Sequence, residues 1–133
     1  MNRRHLLVAT ATFGLGIGLG TVAHAGTFTP FTPEAFQKAQ ASDKPLLIEV
    51  YAPWCPICAR QQPIMKELET SSKYSGVTVL RVDFDHQKDV LRDLHVAMQS
   101  TLIAFHGKTE TGRLVGVVKR DEIDHLFASA LSG

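Results

Sequence analysis

Pro45-Leu46-Leu47-Ile48-Glu49-Val50-Tyr51-Ala52-Pro53-Trp54-Cys55-Pro56-Ile57-Cys58 is the stretch that organises the chain. Its first seven residues are almost continuously apolar, the pattern of a strand buried on both faces. Its last four hold the only two cysteines of the sequence. Beyond them Ile57, Gln61, Ile64, Met65 and Leu68 recur at helical spacing to about Ser71, with Pro63 among them. The spacing predicts a strand, a short loop and a helix whose first turn carries a cysteine pair. A proline inside a regular helix removes a hydrogen bond and kinks the helix, at a cost of about 3 kcal/mol. Glu49 is the one charge in the apolar run. It is either a residue reaching solvent at a sheet edge or a buried carboxylate with perturbed ionisation, six positions before Cys55. Spacing leaves both open.

The remaining sequence bounds the setting. A length of 133 residues supports one domain, and 14 Lys and Arg against 13 Asp and Glu give no electrostatic footprint for nucleic acid. Asn2-Arg3-Arg4-His5 is a positive leader, Leu6 to Val22 is uncharged, and Ala23-His24-Ala25 is a small-x-small cleavage signal. Residues 1–25 are expected to be a signal peptide cleaved after Ala25, with residues 26–133 as the single mature domain. A membrane anchor is the competing expectation. The apolar stretch is 17 residues with four glycines, at the bottom of the spanning range. Arg3-Arg4 fits a twin-arginine (Tat) signal as well as the general secretory (Sec) route. Removal of Arg3 and Arg4 leaves 12 basic and 13 acidic residues. Export points to an oxidising compartment, the periplasm, and to a soluble, monomeric mature form. Cysteines this close cannot staple a fold, because the loop they close removes little chain entropy. A reactive pair explains them better.

In chain order, Thr32-Pro33-Glu34 opens a first helix with an N-cap, a first-turn proline and an acidic first turn. Val77 to Asp83 reads as a second strand, and Asp85 to His95 as an amphipathic helix. Thr101 to Phe105 reads as a third strand. His106 to Gly112 is expected to turn into a returning strand over Arg113–Val118. A last helix begins at Asp121, with Ile123, Leu126, Phe127, Ala130 and Leu131 inward. The order αβαβαββα implies a mixed sheet with helices on both faces.

With Trp-Cys-x-x-Cys placed after a buried strand, the chain resembles the thioredoxin-fold family over residues 33–131. The resemblance implies an α/β fold, a thioredoxin-like three-layer α/β/α arrangement around a mixed central sheet. It also implies thiol–disulfide oxidoreductase activity. Glu49 falls where the family carries a buried acid behind the cysteines, and Arg81 where it often has a basic neighbour of that acid. Pro63 matches the proline of the active-site helix. Thr101 begins the strand that follows the family's cis-proline, but this chain has Ser100 in the proline's place. A non-proline cis bond costs about 2.5–4 kcal/mol, so the bond before Ser100 is expected to be trans. In the family that loop faces the cysteines and offers its backbone to substrate.

At a helix N-terminus the unpaired N–H groups favour a thiolate, and the thiolate is the nucleophile. Cys55 is expected to be the exposed, attacking thiol and Cys58 the shielded, resolving one. Glu49 would take the proton of Cys58, Arg81 would tune Glu49, and Trp54 would wall the site or simply pack beside it. Pro56 and Ile57 bring no charge to steady the thiolate, which argues for a reductant or moderate donor. The redox-active disulfide Cys55–Cys58 then serves in place of any cofactor. Partners are protein disulfide or dithiol substrates and, in an oxidising compartment, a membrane thiol electron donor. The alternative is copper or zinc binding or delivery through Cys55 and Cys58, with Met98 as a soft third ligand. A non-catalytic binding or chaperone module is the third reading.

Overall fold

A computed structural model describes residues 28–132. The expected signal peptide, its cleavage site and the anchoring alternative lie outside the described residues. Five strands and four α-helices follow one another as β1 (Thr29–Pro30), α1 (Pro33–Ala41), β2 (Pro45–Tyr51), α2 (Pro56–Thr70), β3 (Thr78–Asp83), α3 (Lys88–Asp93), β4 (Thr101–His106), β5 (Thr109–Val115) and α4 (Arg120–Leu131). One 3-10 turn, Ser72–Tyr74, follows α2.

The sheet order is β1-β3-β2-β4-β5, with β1 and β2 parallel to β3 and the β2–β4 and β4–β5 pairs antiparallel. The apolar run is therefore the central strand, buried from Leu46 to Val50. Its alternation sorts two cores. Leu46, Ile48 and Val50 pack with Leu80, Val82, Leu91 and Ala39 on the face of α1 and α3. Leu47 packs with Met65, Leu68, Ile123 and Phe127 on the face of α2 and α4. The expected three-layer α/β/α architecture with a mixed sheet is the one observed. A side chain the size of Leu or Ile contributes about 1.5–3 kcal/mol on full burial, so the two cores supply most of what holds the layers together.

Local chemistry fixes the element ends. Thr32 caps α1, its Oγ1 accepting the Ala35 N–H at 3.0 Å. Pro63 lies within α2, which runs unbroken from Pro56 to Thr70.

Four expectations are corrected. The edge strand β1 was not foreseen; its residues join the sheet by parallel pairing with Leu80 and Arg81, continued by the Phe31 N–H to the Arg81 carbonyl at 2.7 Å. The helix expected over Asp85–His95 is only α3, because the Asp83 carboxylate takes the N–H groups of Asp85 and His86 at 2.9 and 3.2 Å and holds them in a turn. His95 lies past that helix with φ +54°. The β4–β5 connection is tighter than expected, with Gly107 at φ +56° and the returning strand already begun at Thr109. A register shift at Ala104/Phe105 absorbs the extra residue, and Val117 and Val118 fall outside the strand. Finally, Leu131 is exposed at the end of α4 instead of packing inward.

Candidate active site

The turn after β2 delivers Cys55 to the N-cap of α2 and Pro56 to its first position. There Cys55 does what an N-cap side chain does. Its Sγ accepts the Cys58 N–H at 3.1 Å, one of the helix's unpaired donors. Both cysteines are free thiols. Capping turns the Cys55 sulfur inward, among Ala52, Cys58, Tyr51, Ile57 and Phe84. Cys55 is 2% exposed and Cys58 1%, so the expected contrast in exposure is absent. What distinguishes them is environment. Burial, and then the hydrogen bond with Cys55, push the Cys58 thiol up to about 11, while the backbones of Ala52 and Ser100 pull the other way.

Glu49 is buried on the central strand, which removes the solvent-edge alternative. Its register partner across the β2–β3 ladder is Arg81. The Arg81 Nε donates to Glu49 Oε2 at 3.0 Å and its Nη2 reaches Oε1 at 3.5 Å. Gln62, on the facing side of α2, donates to Glu49 Oε1 and accepts from Arg81 Nη2. The guanidinium is also stacked between two rings, 4.2 Å from the Phe28 centroid and 4.1 Å from that of Tyr51. The Glu49 carboxylate is thus engaged by both Arg81 and Gln62. Gln62, Phe28 and Tyr51 belong to this group, and nothing in their spacing announced it.

Trp54 is 56% exposed, yet anchored. Its Nε1 donates to both carboxylate oxygens of Asp85, at 3.1 and 2.9 Å, and its ring meets Phe84 edge-on at 6.2 Å. These contacts show the packing role. Pro56 is exposed and Ile57 half-buried beside the cysteines.

Ser100 stands beside the pair. The peptide bond before it is trans, as expected, since no cis bond occurs among the described residues. Its backbone takes a left-handed conformation, φ +61°. Its N–H donates to the Val50 carbonyl at 2.9 Å, a bond that proline could not make. The Cys58 thiol reaches the same oxygen at 3.9 Å. Thr101 is buried, with Oγ1 donating to the Met98 carbonyl at 2.7 Å. Met98 itself is half exposed and is not part of the cluster around the cysteines. Among the described residues no group of three or more His, Cys, Asp or Glu is placed to hold a metal.

Comparison with known proteins agrees with this geometry. The family model described as Thioredoxin matches residues 27–129. The chain is 38% identical over 96 residues to thioredoxin H-type of Fagopyrum esculentum, covering 71% of this chain and 79% of that one. It is 27% identical over 100 residues to thioredoxin of Alicyclobacillus acidocaldarius, covering 75% and 94%. The crystal structure of Trxlp from Edwardsiella tarda superposes with a TM-score of 0.71 at 37% identity, covering 74% of this chain and 96% of that one.

Proposed function

Because this chain belongs to the thioredoxin family and is a thiol–disulfide oxidoreductase, we propose that Cys55 is its attacking thiol and Cys58 its resolving one, and that it works in the cell envelope as a reductant. The observation that carries the assignment is the Cys58 N–H on the Cys55 Sγ at 3.1 Å. A backbone N–H on that sulfur at a helix N-terminus is the setting in which an attacking thiolate is stabilised.

Cys55 as thiolate attacks a protein disulfide and forms a mixed disulfide. Cys58 holds its proton tightly, up to about 11, so it does not compete as nucleophile in the first step. In the second step its sulfur attacks Cys55, and the reduced substrate leaves as a thiolate. Glu49 acts behind this pair as proton acceptor, held in orientation by Arg81 and Gln62. Trp54, exposed and braced by Asp85, offers a flat surface against which substrate lies.

The reductant direction rests on the uncharged Pro56-Ile57 pair. The leader over residues 1–25 supports a periplasmic, soluble and monomeric mature form fed by a membrane thiol donor. Insulin reduction by the purified protein tests the reaction. Mixed-disulfide trapping with Cys58→Ala in the native compartment identifies the partner. Absence of insulin reduction, or full oxidation of the pair in cells, would overturn the respective half of the proposal.

A further inference from the structure

Gln61 lies on α2 just past Cys58 and is 1% exposed. Its Nε2 donates to two carbonyls on separate segments, Ser100 at 3.2 Å and Val117 at 2.8 Å. Its Oε1 is the one buried side-chain polar atom without a partner among the described residues. An unpartnered buried acceptor costs about 1–3 kcal/mol. An apolar side chain of the same length would avoid that cost, so packing alone does not account for an amide here.

The two donated bonds clamp the loop that carries Ser100. A left-handed non-glycine residue costs about 1–2 kcal/mol and needs its surroundings to hold it. The Ser100 carbonyl is held from one side by Gln61 and from the other by the Gly116 N–H at 3.1 Å. With that carbonyl fixed, the Ser100 N–H is directed at the Val50 oxygen that the Cys58 thiol also reaches. A backbone donor absent from any proline, engaged with the Val50 carbonyl, is thereby held close enough to the resolving sulfur to favour its charged form.

We propose that Gln61 is a positioning residue for thiol–disulfide exchange: it holds the Ser100 N–H next to the Cys58 sulfur, so that charge arising there during resolution meets a hydrogen-bond donor. The inference rests on the exchange reaction proposed above and adds the group that controls its second step. In that step the Cys58 thiol gives its proton to a base. Its sulfur then attacks the Cys55 sulfur, and the bond from Cys55 to the substrate sulfur breaks. The substrate leaves as a thiolate with the electron pair, so the protein is oxidised by two electrons and the substrate disulfide is reduced.

Mixing the reduced full chain with one equivalent of dithiobis-nitrobenzoate separates the steps. The first nitrothiobenzoate is released by Cys55 in a bimolecular phase. The second is released by Cys58 in a concentration-independent phase. Gln61→Met is expected to slow the second phase about ten- to a hundredfold, as befits loss of one positioned donor to a charged atom. It should also move the alkaline rise of that phase to higher pH and leave the first phase unchanged. Gln61→Leu, which packs differently, should do the same. An unaltered second phase in variants with normal thermal unfolding overturns the inference while leaving the exchange reaction intact. Equal slowing of both phases, or loss of folding in both variants, makes Gln61 a structural residue only and also overturns it. A wild-type chain that releases no second equivalent defeats the exchange reaction itself.

Discussion

The Cys58 N–H bonds to the Cys55 sulfur at 3.1 Å, so the sulfur proposed to attack is also the cap of the helix that carries both cysteines. Chemistry and helix stability are therefore separable by substitution. Cys55→Ser should keep the cap, since a hydroxyl is a strong N-cap acceptor, and so unfold in urea within about 1 kcal/mol of wild type. Cys55→Ala loses the cap and should cost about 1 kcal/mol. Insulin reduction should fall to background in both. Retained insulin reduction in the serine variant would remove Cys55 from the attacking role.

The raised Cys58 thiol makes the stability of the reduced protein sensitive to alkali. The folded state keeps a proton up to about 11 that an ordinary thiol loses near 9. Between those pH values the unfolded chain binds fewer protons, so the stability gained from the shift is complete below about pH 9 and is lost as pH rises towards 11. The loss should amount to about 2–3 kcal/mol in denaturant titrations of the reduced form. The disulfide form has no Cys58 proton to lose and should lack this component.

Ser100 invites a direct comparison with proline. Ser100→Pro demands φ near −65° where the chain has +61°, and it deletes the N–H bonded to Val50. The expected cost is about 3 kcal/mol or more. Ser100→Gly suits a left-handed backbone and should be neutral or stabilising by up to about 1 kcal/mol. Melting temperatures decide the matter. A proline variant as stable as wild type would mean that the loop switches conformation freely.

The Glu49–Arg81 pair is buried, with side chains 4% and 13% exposed. Removing one partner strands a charge. Arg81→Met alone should therefore cost about 3–5 kcal/mol. Glu49→Leu combined with Arg81→Met removes both charges and should recover most of that loss. If Glu49 accepts the Cys58 proton, the double variant regains stability without regaining the rate of mixed-disulfide resolution.

The order of the central elements was legible because each is written in neighbouring residues. A doubly buried strand is an unbroken apolar run, and α2 starts at a loop, a proline and two thiols in succession. What escaped depends on partners distant in sequence or on backbone competition. Thr29–Pro30 is a strand only because Leu80 and Arg81 lie alongside it. The start of α3 is set by Asp83 capturing two amides ahead of it. Gln61 and Gln62 are adjacent glutamines with different fates. One ties down Ser100, 39 positions away, and the other Glu49, 13 positions away. The inward turn of Cys55 escaped for a simpler reason. A helix start shows which residue can cap, but not whether its side chain will do so instead of facing solvent.

The two-residue β1 bears on how this molecule behaves in company. Without it, β3 would present a bare row of amides and carbonyls along Thr78-Val79-Leu80-Arg81-Val82, a template on which another copy could assemble. Thr29–Pro30 occupies part of that rim, and its proline has no N–H with which to pass the ladder on. Sheet growth stops there. A chain shortened to begin at Phe31 would keep both thiols and both cores and still be the one to aggregate.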